Sequence, residues 1–161
     1  MLNSTELVHL RRAITLAHAA RDRGDHPFGA LVVGGDGQVL AEAENSVATS
    51  GDCTGHAELN LVRLASVRYA RDTLVGSTLY TSTEPCAMCA GAIYWSGIGR
   101  LVYALSEDRL YTLTGADRAD SAMRLPCRDV FARCGRSIIV EGPALEAEGE
   151  KVHIGFWQQD V

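Results

Sequence analysis

His56 and Glu58 stand two residues apart, and Cys86 and Cys89 follow in the run Pro85-Cys86-Ala87-Met88-Cys89. One imidazole and two thiols are donors that suit zinc, and three of them without a fourth are the ligand set of a catalytic ion, whose open position takes water or substrate. A structural site would be closed by a fourth ligand, for which Cys53 is the nearby candidate. Zinc lowers the pKa of water from 15.7 to about 7, so a water nucleophile becomes available at neutral pH without a nucleophilic side chain. Glu58 lies two residues beyond His56, close enough to share the site while facing another side of the turn. Its carboxylate suits proton transfer between water and a substrate. Taken singly, Cys-x-x-Cys could be a redox pair or half of a zinc knuckle, and His56 a surface residue. The two halves together argue for metal-assisted hydrolysis.

This chemistry needs each half-motif at a helix start, where orphan N–H groups and the helix dipole favour thiolate over thiol. The apolar spacing predicts a helix from about His56 to Tyr69, with Ala57, Leu61, Leu64 and Ala65 on its buried face, and another over Cys86–Trp95. Ahead of them, Ser4–Arg23 reads as an amphipathic helix, and Phe28–Val33 and Val39–Glu44 as an antiparallel hairpin around Gly34-Gly35-Asp36-Gly37. Ser77–Thr81, Leu101–Leu105 and Arg136–Val140 supply three more strands, the last two separated by a region that contains Tyr111–Arg118 and a helix around Arg128–Arg133. A helix-like run begins the tail at Pro143, and the tail ends in Val152–Trp157 and Gln158–Val161. Strands alternating with helices predict an α/β chain, a three-layer α/β/α domain on a five-stranded mixed sheet, with a parallel crossover and one domain over 1–161.

Composition agrees with a folded chain. Of 161 residues, 47% are hydrophobic and 22% charged, far from the signature of disorder. No apolar run reaches the roughly 20 residues that cross a bilayer, and Met1–Arg12 is unlike a signal peptide, so a cytoplasmic protein without a membrane partner is expected. Five cysteines (Cys53, Cys86, Cys89, Cys127, Cys134) make a disulfide framework unexpected; Cys127 and Cys134 read as small buried hydrophobes. The net charge of −5 and a tail carrying Glu141, Glu146, Glu148, Glu150 and Asp160 against Lys151 favour a small-molecule partner over nucleic acid.

The stretches Pro27-Phe28-Gly29-Ala30, Thr54-Gly55-His56-Ala57-Glu58 and Thr83-Glu84-Pro85-Cys86-Ala87-Met88-Cys89-Ala90-Gly91-Ala92-Ile93-Tyr94-Trp95 resemble the cytidine deaminase superfamily, in the branch of bacterial guanine deaminases and tRNA adenosine deaminases. The resemblance covers roughly residues 7–105 and implies a zinc cofactor, a water nucleophile and a homodimer. It also implies Phe28 and Trp95 as aromatic walls, Asn45 as a hydrogen-bonding partner of the base, and the backbone N–H of Ala57 as a contact to substrate. In the guanine deaminases a tail aromatic closes the pocket and an acid follows the fourth strand. Trp157, with Phe156 beside it, and Asp117 are the matching positions, although Thr114-Gly115-Ala116-Asp117 does not reproduce the family's surroundings for that acid.

The function expected from these residues is hydrolytic deamination of a purine or related aminated heterocycle, foremost guanine to xanthine plus ammonia, with Glu58 catalytic and His56, Cys86 and Cys89 on zinc. The alternatives are a cytosine, nucleoside or aminotriazine deaminase, a tRNA adenosine deaminase, and a zinc-binding protein without catalysis.

Overall fold

The computed structural model describes residues 1–115 and 122–157. Helix α1 (Ser4–Arg23) starts on a reciprocal cap, in which the Glu6 N–H donates to Asn3 Oδ1 at 3.0 Å and the Asn3 N–H to Glu6 Oε2 at 2.8 Å, and it stops at left-handed Gly24. Strands β1 (Gly29–Val33) and β2 (Val39–Glu44) form the antiparallel hairpin, with an irregular register at Val32/Val33. Two short helices, α2 (Val47–Ser50) and α4 (Arg71–Val75), flank α3 (Ala57–Arg68). Strand β3 (Thr78–Thr83) leads into α5 (Ala87–Ser96), and β4 (Arg100–Leu105) into α6 (Glu107–Thr114). Then follow α7 (Cys127–Phe131), β5 (Ile139–Glu141) and α8 (Glu146–Lys151).

The five strands lie in the order β2-β1-β3-β4-β5, antiparallel through β3 and parallel beyond it. Buried β1 sends alternate side chains to opposite faces: Ala30 and Val32 to a core built with α3, α5 and α7, Leu31 and Val33 to one built with α1. On the second face α8 also covers β4, where Gly149 packs closely, a Cβ there lying 3.2 Å from that of Leu105 and 3.5 Å from that of Ala104. This is the expected three-layer α/β/α arrangement, with α3 and α5 side by side under the sheet.

Two strand boundaries differ from the sequence reading by two residues or more, and the helices α2, α4 and α6 lie where no element is expected. Strand β3 runs two residues further, to Thr83, which carries the sheet up to the Glu84-Pro85-Cys86 corner. Strand β5 starts at Ile139 rather than Arg136, because the Arg136 guanidinium donates to the Ile98 and Tyr94 carbonyls at 2.9 and 2.7 Å and holds that residue at the end of α5. Helix α6 occupies a stretch with no expected element; Ser106 caps it, accepting from the Arg109 N–H at 3.3 Å, and left-handed Gly115 ends it.

Candidate active site

Two helix starts meet beneath the sheet. His56 is the N-cap of α3 and Cys86 the N-cap of α5, both in extended backbone, and Cys89 lies one turn into α5, fully buried. His56 Nδ1 is 3.6 Å from the sulfur of Cys86 and 3.6 Å from that of Cys89. The three donor atoms lie within 4.8 Å of one another, and among the described residues they are the one group that could hold a metal. Zinc bonds of about 2.0 Å to nitrogen and 2.3 Å to sulfur, at tetrahedral angles, separate nitrogen from sulfur by roughly 3.5 Å. The donor set therefore fits zinc in both kind and spacing. Cys53 is exposed and outside the group, so the described residues supply no fourth ligand.

The thiols are already polarised. A hydrogen bond from Cys89, with His56 also beside it, holds the Cys86 thiol down at about 4. The same bond and burial push the Cys89 thiol up. His56 is raised, chiefly by its hydrogen bond to Cys86, against the opposing effect of burial.

Glu58 follows His56 in the first turn of α3 and is 5% exposed. Burial raises its carboxyl above the usual range, opposed by a hydrogen bond that Thr81 Oγ1 donates to Oε1 at 2.6 Å. A cavity of about 150 Å³ opens over His56, Glu58 and Cys86, with Phe28 as its aromatic wall and Glu84, Glu107, Leu110 and Tyr111 completing it. The Glu84 carboxylate ties the corner together, accepting from the Glu107 N–H at 3.1 Å and from the N–H and S–H of Cys127 at 3.2 and 3.1 Å. Cys127, expected as a small hydrophobe, is buried as expected but also has this polar task; Cys134 is half-buried and donates to the Val130 carbonyl. Desolvation raises the Glu107 carboxyl to about 7 even though Tyr111 hydrogen-bonds its Oε1 at 3.0 Å.

The remaining expected site residues divide. Phe28 lines the cavity and packs on the His153 ring at 5.3 Å and on Trp157 at 6.1 Å. Trp157 touches the site through Phe28 and through His153, to whose Nδ1 its indole N–H donates at 3.2 Å; Phe156 packs edge-on behind it. Ala57 is buried between His56 and Glu58. Asn45 is buried but away from the cavity lining, and its Oδ1 accepts from the Val47 N–H at 3.0 Å, closing the turn after β2. Trp95, at the far end of α5, is 77% exposed and does not line the cavity of its own chain. Asp117 lies outside the described residues. Sequence reasoning missed Thr81, Glu84, Glu107, Tyr111 and His153. Thr81 and Thr83 did leave a signal: they continue the alternation of buried Leu79 on a strand face where apolar residues are expected.

Comparison with known proteins agrees with this geometry. Residues 3–105 match the family described as the cytidine and deoxycytidylate deaminase zinc-binding region. The chain is 42% identical over 156 residues to a probable cytosine deaminase of Schizosaccharomyces pombe, covering 97% of this chain and 94% of the relative. It is 46% identical over 96 residues to a guanine deaminase of Bacillus subtilis, covering 59% of this chain and 61% of that one. A solved structure from a study of A-to-I editing by tRNA:A34 deaminases superposes with a TM-score of 0.74 at 28% identity, covering 91% of this chain and 99% of the other.

Proposed function

The chain belongs to the zinc-binding cytidine and deoxycytidylate deaminase family, hydrolases of C–N bonds, and from that premise we propose that it deaminates a free single-ring amino-heterocycle of the cytosine type. The observation that carries the ring size is the cavity. A space of about 150 Å³ is the size of an engineered protein cavity that holds benzene, so one six-membered ring fits within it. Similarity points the same way. The match to the probable cytosine deaminase runs nearly end to end, whereas that to the guanine deaminase stops at 96 residues. Guanine, the substrate expected from the motif residues, stays as the second reading because the guanine deaminase is 46% identical over its 96 matched residues.

In this reading His56, Cys86 and Cys89 hold zinc, which when bound supplies the Lewis acidity that activates water. Glu58 takes one proton from that water and hands it to the ring nitrogen, then takes the second from the hydroxyl newly bonded to the ring carbon and passes it to the amine as the C–N bond breaks and the carbonyl forms, a role suited to a buried carboxyl. Phe28 offers a face for the ring to stack on. Glu84 holds the corner that presents Cys86. The reading takes 1–161 as one deaminase domain acting as a homodimer, since α3 and α5 leave Leu64, Val67, Met88 and Trp95 exposed. A tRNA substrate is not favoured, yet the tail is less repulsive to phosphate than its composition suggests, because Glu141, Glu148 and Glu150 are paired with Arg100, Arg11 and Arg109.

The test is ammonia release by the zinc-loaded chain from cytosine, cytidine, guanine, ammeline and a tRNA anticodon stem-loop. Cytosine is expected to be turned over fastest. Release from guanine alone would overturn the ring-size argument, and release from the stem-loop alone would overturn the small-molecule reading.

A further inference from the structure

Thr81 sits in the most restrained part of the molecule. Its strand is hydrogen-bonded on both sides, with Thr81 opposite Ala30 of β1 and opposite Tyr103 of β4, and the residue is fully buried. A β-branched side chain on such a strand has little rotameric freedom, so Oγ1 is fixed in space. From there it reaches two acceptors, Glu58 Oε1 at 2.6 Å and the Thr83 carbonyl oxygen at 3.1 Å. The hydroxyl has one proton and two lone pairs, so it donates to only one of them at a time.

We propose that Thr81 is a positioning residue that holds the Glu58 carboxyl in the orientation in which it faces the cavity over His56 and Cys86. Its hydroxyl donates to Glu58 Oε1, and 2.6 Å falls in the range of a charge-assisted O–H···O bond. The donor is fixed by its buried central strand, so the carboxyl it binds is fixed with it. Without that bond the buried carboxyl would lose a partner and could turn away from the position in which it meets the water and the substrate.

The inference rests on Glu58 being the proton carrier, and the experiment separates the two. Zinc-loaded Thr81→Val keeps the shape and loses the hydroxyl. Its kcat on cytosine, or on whichever substrate the screen identifies, is expected to fall roughly ten- to hundredfold, the usual worth of a hydrogen bond to a charged group, with KM within about twofold. Thr81→Ser is expected to restore most of it. Thr81→Ala is the second variant if the valine does not fold, with the same kcat loss expected. A readout without turnover is the ¹³C resonance of the Glu58 carboxyl in protein labelled at glutamate, assigned by its absence from Glu58→Gln. That resonance is expected to shift in Thr81→Val and to return in Thr81→Ser. An unmoved resonance, a kcat within twofold of wild type, or a loss confined to KM would overturn the role of Thr81. If instead zinc-loaded Glu58→Gln turns over normally, it is the Glu58 reading that fails. Adding Thr81→Val to Glu58→Gln is expected to cost nothing more.

Discussion

Cys86, held down at about 4, is half prepared for zinc before any metal arrives. Cys86→Ala should remove that thiolate and two of the three donor pairs, and elemental analysis is expected to find less than a tenth of the wild-type zinc after dialysis. Retained stoichiometric zinc would show that other residues hold the ion. Glu107 gives a prediction of the opposite sign in pH. Its carboxyl is raised to about 7 from 4.5, so it stays protonated in the fold where the unfolded chain has lost the proton. Its contribution is complete below about 4.5 and is lost as pH rises through about 7. In metal-free protein, urea unfolding should therefore show wild type losing about 2 kcal/mol against Glu107→Gln between pH 4.5 and pH 8. A gap that does not change with pH would contradict the raised carboxyl. The residues legible in the sequence were those whose chemistry is local: His56 with Glu58, and Cys86 with Cys89, each pair within one helical turn. Thr81 meets Glu58 across 23 residues and Glu107 meets Glu84 across another 23, by packing that no spacing rule records. Asn45 shows the converse, a residue whose side-chain oxygen serves its own turn.

Among the elements, α1 and β1 approach so closely that Gly29 admits no side chain. A Cβ there would lie 2.5 Å from both the Ala17 nitrogen and the Leu16 Cβ. Gly29→Ala should push α1 off the sheet beside Phe28 and cost at least about 2 kcal/mol in denaturant unfolding, and a neutral result would contradict the packing. The tail is docked by His153, buried under Phe28 and Trp157 and held down to about 4 by burial, with Arg21 and His18 adding to the effect. A depressed histidine contributes fully above its unfolded value of 6.5, and its contribution is lost as pH falls towards 4. Wild type should therefore lose up to about 3 kcal/mol against His153→Gln between pH 7 and pH 4, and parallel pH profiles would rule this out. Periodicity revealed α1, α3, α5 and the hairpin because each is long or bounded by clear turns. It missed α2, α4 and α6, where short runs are set by caps and neighbours, and it misplaced the start of β5, which Arg136 delays by bonding to the end of α5.

At the scale of the molecule, sheet order, helix layers and metal corner form one arrangement, with the parallel strands β3 and β4 ending at the cavity that Glu84 and Glu107 help to line. The exposed apolar residues of α3 and α5 should be covered by a second copy. Light scattering is expected to give twice the 17.3 kDa chain mass, and Trp95→Glu to shift it towards one; a monomeric wild type would remove that part of the reading. Substrate was the least legible property, since the sequence displays the metal residues while the cavity's size appears only once α6 and the tail are folded against Phe28. The central claim is that His56, Cys86 and Cys89 bind zinc and Glu58 carries the protons. Its most direct test pairs zinc content with ammonia release from cytosine for wild type and Glu58→Gln. The account predicts one zinc per chain in both, with turnover lower in Glu58→Gln by about 10²–10⁴. Near-normal ammonia release from zinc-replete Glu58→Gln would contradict it.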